Sequence, residues 1–448
     1  MMNKLQAGFA RVNITPMMGI DIAGYYQTRL ADGVLDELEL NVLALQVDDK
    51  KAVLVSADLL YVVNEVTEDF KAYVAENTGL DQEAIFFHGT HTHTAPYLRK
   101  TTDNPLWAEY FQFVRHKVLD AINFALADLK PAKMGWAIGD APNIAFVRRF
   151  RMKDGGVQTN PGVNNPNIVA PIGDVDERVN VVRFDREGAD SIVLVNFGVH
   201  PDTVGGCKIS CDWPGFLRRT VEQAIDGTKC IFFNGAQGDV NHVNVHPTGG
   251  FLNDTFNDFD DVSRGYGHAR YMGRVVAGGV LQVYDKVKYV DVDSLNYMDR
   301  LIKIPSNMPA PEEMEEAYYI DKMHKDGRDA ELPYEGMMLT TKVAEAARKI
   351  QLEHGPESFD MVLSGLSVGE VAFVGIPGEP FTGIGRGIKE GEGFALIMPA
   401  CCTNGAQGYF PMKEAYDEGG YEAGSSKFRA GVAEIIIEEG KKLVKDLA

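Results

Sequence analysis

Residues 84–96 read AIFFHGTHTHTAP, an unbroken apolar run that passes abruptly into a polar turn carrying His91 and His93 and ending in a proline. A run of Ile and Phe with no polar face predicts a strand covered on both sides, which requires a layer on each face of its sheet. Spacing two places the imidazoles of His91 and His93 on one face of extended backbone. Two aligned imidazoles suit a zinc site, and a hydrogen-bonded pair capping the strand fits the same pattern.

The same construction recurs along the chain. NVLALQV (41–47), KAVLVSA (51–57), VNVVRF (179–184), SIVLVNFGV (191–199), CIFFNG (230–235), EVAFVGI (370–376) and ALIMPA (395–400) are strand-like. Helical periodicity lies between many of them, over residues 64–77, 107–129, 213–225 and 269–287, from Pro311 to about His354, and over 426–447. The alternation predicts an α/β fold with a mixed β-sheet core flanked by helices. Strands resume after two Gly- and Asn-rich stretches at about 153–174 and 246–267, so these are expected to be irregular excursions within one domain spanning 1–448. The second is acidic and aromatic, in keeping with a lid.

Polar residues gather where the strands end, and catalytic groups collect at such edges. His200 follows one strand in VLVNFGVHPDT, and Asp212 in SCDWPGF is placed to cap a helix or to orient an imidazole. NGAQGDVNHVN brings Gly235, Gly238, Asp239, Asn241 and His242 to a polar turn. Glu379 ends another strand in IPGEPF, where a carboxylate accepts from a helix N-terminus or coordinates a metal. Asn404, Tyr409 and Tyr421 lie among glycines in TNGAQGYF and GGYE.

Composition narrows the classes. The 448 residues are 45% hydrophobic and 24% charged, enough for a large core. A net charge of −20 argues against nucleic acid, and it opposes a strongly anionic ligand unless a local patch reverses the field. The N-terminus lacks an apolar segment of signal-peptide length and no stretch reads as a membrane span, so a cytoplasmic protein is expected, monomeric or a homodimer. The five cysteines are too few and too clumped for a disulfide framework and are expected to be reduced.

Taken in order, GTHTHTAP, FGVHPDT with SCDWPGF, NGAQGDVN, IPGEPF and TNGAQGYF with GGYE resemble the catalytic domain of the neutral/alkaline (non-lysosomal) ceramidases, zinc-dependent amidases that cleave N-acylsphingosine. The opening AGFARVNITPMMGIDIAGYY is similar to that family's start, so the resemblance runs from about residue 6 to residue 425. It implies a Zn2+ ion held by His91, His200, Glu379 and Tyr409. His93, Tyr421 and an arginine of FVRRF, Arg148 or Arg149, would line the site without binding the metal. The chain departs from the family in three places. Asn241 stands where those enzymes carry a serine after GDV. His93-Thr94-Ala95-Pro96-Tyr97 replaces HSGPGG, and one helix follows Tyr421 where the family continues into a C-terminal β-sandwich domain.

The activity so implied is zinc-dependent hydrolysis of a linear, ceramidase-like N-acyl amide by a metal-activated water. In that scheme His93 is general base or acid, Tyr421 or Arg148 stabilises the oxyanion, and Asn241 holds a polar group of the substrate. The substrate is then a small molecule or a lipid-like N-acyl compound. No basic amphipathic helix marks a lipid surface, which keeps two alternatives open. One is a zinc lyase, isomerase or deacylase acting on a polar sugar or small metabolite; the other is a non-catalytic ligand-binding homologue.

Overall fold

The computed structural model describes residues 5–246 and 265–448. A nine-stranded mixed sheet runs in the order Thr228–Asn234, Ser191–Phe197, Arg178–Arg186, Lys130–Asp140, Leu5–Asn13, Glu39–Val47, Lys50–Ala57, Ile85–Gly89, with Lys288–Val290 paired to Lys130–Asp140. A second sheet holds Leu295–Pro305, Ser358–Val368, Val371–Gly375 and Leu396–Ala400.

The two sheets stack, and the alternation along each strand shows how. Leu43, Leu45, Leu54, Ile192, Leu194, Ile231 and Phe233 point inward to meet Val371, Phe373, Leu396 and Met398 of the second sheet. Their neighbours Val42, Ala44, Val53 and Val55 face the other way, against Phe70 and Val114 of helices Asn64–Thr78 and Pro105–Ala127. Val193, Val195 and Phe232 likewise meet the helices Asp212–Ala224 and Tyr266–Val283. On the far side, Ala372 and Val374 meet Ile384 and Ile436 of helices Thr382–Lys389 and Val432–Leu447. The core is therefore four layers deep, helix–sheet–sheet–helix, and the uniformly apolar strands follow because both faces of each sheet are covered.

Within the two large sheets, parallel pairing among the described residues occurs in three places: Lys50–Ala57 with Ile85–Gly89, Ser191–Phe197 with Thr228–Asn234, and Val371–Gly375 with Leu396–Ala400. The segments leaving these pairs are tied to one another. Asn234 N donates to His88 Nε2 at 2.9 Å, Cys401 N to Asn234 O at 3.0 Å, and Asn404 N to Phe87 O at 2.8 Å. The Asn404 side chain accepts from Phe87 N at 2.8 Å and donates to Ile85 O at 3.2 Å, which satisfies the outer edge of the strand Ile85–Gly89.

Several expectations are revised. The stretch 153–174, read as irregular, supplies Val157–Thr159 and Ile168–Pro171, which flank Arg149–Met152 in a three-stranded sheet. Its glycines and asparagines form the turns between short strands. The acidic stretch at 246–267 falls almost wholly in residues 247–264, outside the described residues. The helical pattern after Pro311 is two helices, Met314–Lys325 and Gly336–Leu352, and the C-terminal one begins only at Val432. Leu5–Asn13, absent from the strand-like runs read from the sequence, is a central strand, and Gly8 within it leaves room for the covering helix, whose Ala125 O would lie 2.1 Å from a Cβ there. Among the described residues no helix is long and apolar enough to cross a membrane, and none of the five cysteines is in a disulfide.

Candidate metal centre and its cavity

The segments that follow the strand ends place His91, His200 and Glu379 in mutual contact. His91 Nε2 and His200 Nε2 each lie 3.2 Å from Glu379 Oε2. The other nitrogen of each imidazole is committed to backbone. His91 Nδ1 is 2.9 Å from Leu60 O, and His200 Nδ1 is 2.8 Å from Gln237 O and 3.1 Å from Val240 O. A carbonyl only accepts, so Nδ1 carries the proton in both rings and Nε2 presents a lone pair. Two lone pairs and a carboxylate oxygen thus converge, all buried, and His91 Nε2 and Glu379 Oε2 have no hydrogen-bond donor. Burial and the Arg148 guanidinium hold the His200 pKa down to about 4.

An arrangement of acceptors facing acceptors is reconciled by a cation, and imidazole nitrogens with a carboxylate oxygen form a donor set suited to a borderline divalent ion such as zinc. Among the described residues His91, His93 and His200 form a group able to hold a metal ion, their ligand atoms within 4.8 Å of one another. Glu379 belongs to the same cluster by its contacts.

The backbone explains how each group arrives. His91 is not in extended backbone as the spacing predicts; its φ is +76°, a left-handed turn made as the chain leaves the strand. His91 and His93 still share the site, with ring centroids 5.0 Å apart and planes at 82°. The turn 237–240 holds His200 with its carbonyls, not its side chains. Asp212 does not reach His200: it accepts from the backbone of Thr203, Val204 and Trp213 at 2.6–2.8 Å and fixes the loop that follows the histidine, and burial pushes its pKa up to about 6. Asp239 binds the N-terminus of the helix after Glu379 through Thr382 N at 2.7 Å. Glu379 and Tyr409 are paired in register in a two-residue parallel ladder.

Tyr409 stacks edge-on with Tyr421, centroids 5.6 Å apart, and Arg148 lies 5.3 Å from its ring. Burial holds both Tyr409 and Tyr421 as neutral phenols. Of the two candidate arginines, Arg148 approaches the cluster, with Nη1 3.3 Å from His200 Nε2, Nε 2.6 Å from Glu422 Oε1 and Nη2 2.7 Å from Gly238 O. Arg149 turns away to Glu418 and Gly419 O. Asn241 is not brought to the cavity. Its amide donates to Asn160 Oδ1 at 2.8 Å and its oxygen accepts from Val243 N at 2.9 Å.

A cavity of about 380 Å³ opens over the cluster, lined by His91, His93, Glu379, Cys402 and six tyrosines, Tyr25, Tyr26, Tyr61, Tyr97, Tyr409 and Tyr421. Four of the six, Tyr25, Tyr26, Tyr61 and Tyr97, are not among the site residues read from the sequence. The pair Tyr25–Tyr26 follows Gly24 in the Gly-rich opening, and that glycine is its one local signal. Gly24 has a φ of +105°, and a Cβ there would meet His93 Nδ1 at 2.6 Å, so its bareness makes room for that imidazole. Asp202 Oδ1 lies 3.8 Å from His93 Nδ1 and accepts from Tyr25 OH. Burial drives the His93 pKa down to about 3, leaving it neutral.

The fold that this sequence adopts is that of the neutral ceramidases. It superposes on the neutral ceramidase from Pseudomonas aeruginosa with a TM-score of 0.73 at 15% identity, over 98% of this chain and 74% of that one. A ceramidase complexed with C2 gives 0.71 at 14% identity, over 98% and 75%. No protein-family model and no curated protein matches the chain, so the likeness is one of fold.

Proposed function

We propose that the protein is a zinc-dependent amidohydrolase that cleaves a compact, polar N-acyl amide, with His91, His200, Glu379 and Tyr409 holding the ion. The observation that carries the reading is the convergence of His91 Nε2 and His200 Nε2 on Glu379 Oε2, three buried acceptors with their protons turned outward. The ceramidase-like fold supports amide hydrolysis as the chemistry. Zinc bound there would polarise a carbonyl and lower the pKa of a water toward neutrality.

The remaining chemistry belongs to the chain. His93 lines the cavity beside His91, with Asp202 Oδ1 3.8 Å from its Nδ1, and this position suits it to take the proton of the attacking water and return one to the departing amine. The phenols of Tyr421 and Tyr26, 3.3 Å apart, are held protonated by burial and donate to the carbonyl oxygen as it gains charge. Arg148, behind Tyr409, fixes that ring and the His200 side of the cluster and neutralises Glu422.

The cavity selects the substrate. At about 380 Å³ the cavity is at the small end of small-molecule pockets, which run about 300–1,000 Å³. Six phenol-bearing walls offer hydroxyls and ring faces rather than a tunnel for an alkyl chain. That favours an N-acetylated sugar or small amine over a two-chain lipid. Assaying the zinc-loaded protein on short- and long-chain N-acyl compounds, with His91→Ala as control, tests this. Turnover of short polar amides that vanishes in the variant is expected; tight binding without turnover, or preference for long chains, overturns it.

A further inference from the structure

A second and larger cavity, about 830 Å³, lies behind the short helix Tyr421–Ser425. The helix is a shared wall: Tyr421 and Ser425 face the histidine cavity, while Ala423 and Gly424 face the second one. The strand Val157–Thr159 and the helix Gly336–Leu352 supply much of the rest.

Arg348 lines this cavity and is only 9% exposed. Its Nε donates to Gly424 O at 2.9 Å and its Nη1 to Asn307 O at 2.7 Å. Both acceptors are neutral carbonyls. Arg348 forms no ion pair among the described residues, and its Nη2 makes no hydrogen bond with them. A buried guanidinium is normally matched by a carboxylate, because desolvating an isolated charge is costly. The nearby acids are already taken. Glu345 accepts from Lys342 at 3.1 Å and Lys349 at 2.7 Å, and Glu313 from Lys349 at 3.0 Å.

Two further cations line the same cavity, Lys342 and the exposed Arg429, and Arg429 too forms no ion pair among the described residues. Against them stand Glu345, committed as above, and Glu335, which is exposed at the rim. In a chain of net charge −20 this is a local reversal of sign.

We propose that this cavity is a binding site for a small organic anion, whose carboxylate or phosphate group seats on the free edge of Arg348 with Arg429 beside it. A guanidinium edge suits such oxygens because its N–H groups match their spacing. The volume exceeds a bare ion, which is why the ligand carries an organic body. The site is distinct from the histidine cavity and does not depend on a metal.

Titration calorimetry on the full chain, stripped of metal and freed of chelator, tests this with inorganic phosphate, succinate and citrate as separate probes. Saturable one-to-one binding of at least one probe is expected, and which probe binds decides between phosphate and carboxylate. Binding should weaken at least about tenfold in Arg348→Gln, the effect of losing one charge-assisted hydrogen bond, and by a similar factor in Arg429→Gln. It should be unchanged in His91→Ala. Arg429 is exposed and its side chain makes no hydrogen bond or ion pair among the described residues, so its variant decides the matter if Arg348→Gln fails to fold. No saturable binding of any probe, or binding lost in His91→Ala and kept in Arg429→Gln, overturns the proposal.

Discussion

Glu379 and Tyr409 are register partners in a two-residue parallel ladder, locked by Glu379 N donating to Gly408 O at 2.9 Å. One backbone pairing therefore sets a carboxylate and a phenol side by side in the wall of the cavity, and their positions cannot shift independently. Removing the carboxylate in Glu379→Ala should cut zinc affinity by at least about a hundredfold, more than the loss of an outer-sphere partner would. Tyr409→Phe should cost less, since a phenol is the weaker donor. Competition with a chromophoric chelator measures both, and wild-type affinity in Glu379→Ala would refute the ligand assignment.

Gly24 controls the room left for His93. Gly24→Ala sets a Cβ against Nδ1 and also strains a backbone at φ +105°. The expected result is a fall in kcat with zinc content retained. His93→Ala should lower kcat by about 10²- to 10⁴-fold, the usual worth of a proton-transfer group. If His93→Ala instead releases the metal, His93 is a ligand and the division of roles fails.

Arg218 is 1% exposed and grips Asp58 with two parallel bonds, Nη1 to Oδ1 at 3.0 Å and Nη2 to Oδ2 at 2.6 Å. Arg218→Met strands the Asp58 carboxylate in the core beneath Glu39, which should cost about 3–5 kcal/mol. The double variant with Asp58→Leu should recover much of that loss in a urea titration. An Arg218→Met protein as stable as wild type would show the pair to be dispensable.

His88 ties the two outer strands together as a neutral ring, accepting from Asn234 N and donating to Cys401 O, and burial lowers its pKa from 6.5 to about 3. The folded state thus binds the proton less well than the unfolded state. Its contribution is fully present above pH 6.5 and is lost as pH falls from there toward 3, at about 1.4 kcal/mol per pH unit in the steep part. His88→Gln should be less stable at pH 8 and show a shallower decline between pH 6.5 and 4.5. Equal slopes for the two proteins would exclude His88 as a source of the acid sensitivity.

The α/β class, the buried strands and the turns that follow them are legible in local patterns of residues. Unbroken runs such as AIFFHG and SIVLVNFGV tolerate no solvent on either face, and the Gly- and Pro-marked breaks after them fix where polar groups emerge. The same local signals named His91, His200, Glu379 and Tyr409 as candidates. Tertiary structure decided what local signals could not carry. The stacking of two sheets, the splitting of the 311–354 pattern into two helices, and the strand through Gly8 depend on which surfaces meet, and a glycine reads as a turn until the helix backbone pressing on it is known. It also decided the left-handed turn at His91, the tautomers set by distant carbonyls at Leu60 and Gln237, and the choice of Arg148 over Arg149. The tautomers and the choice of arginine are contacts between segments far apart in the chain, and only packing brings such segments together.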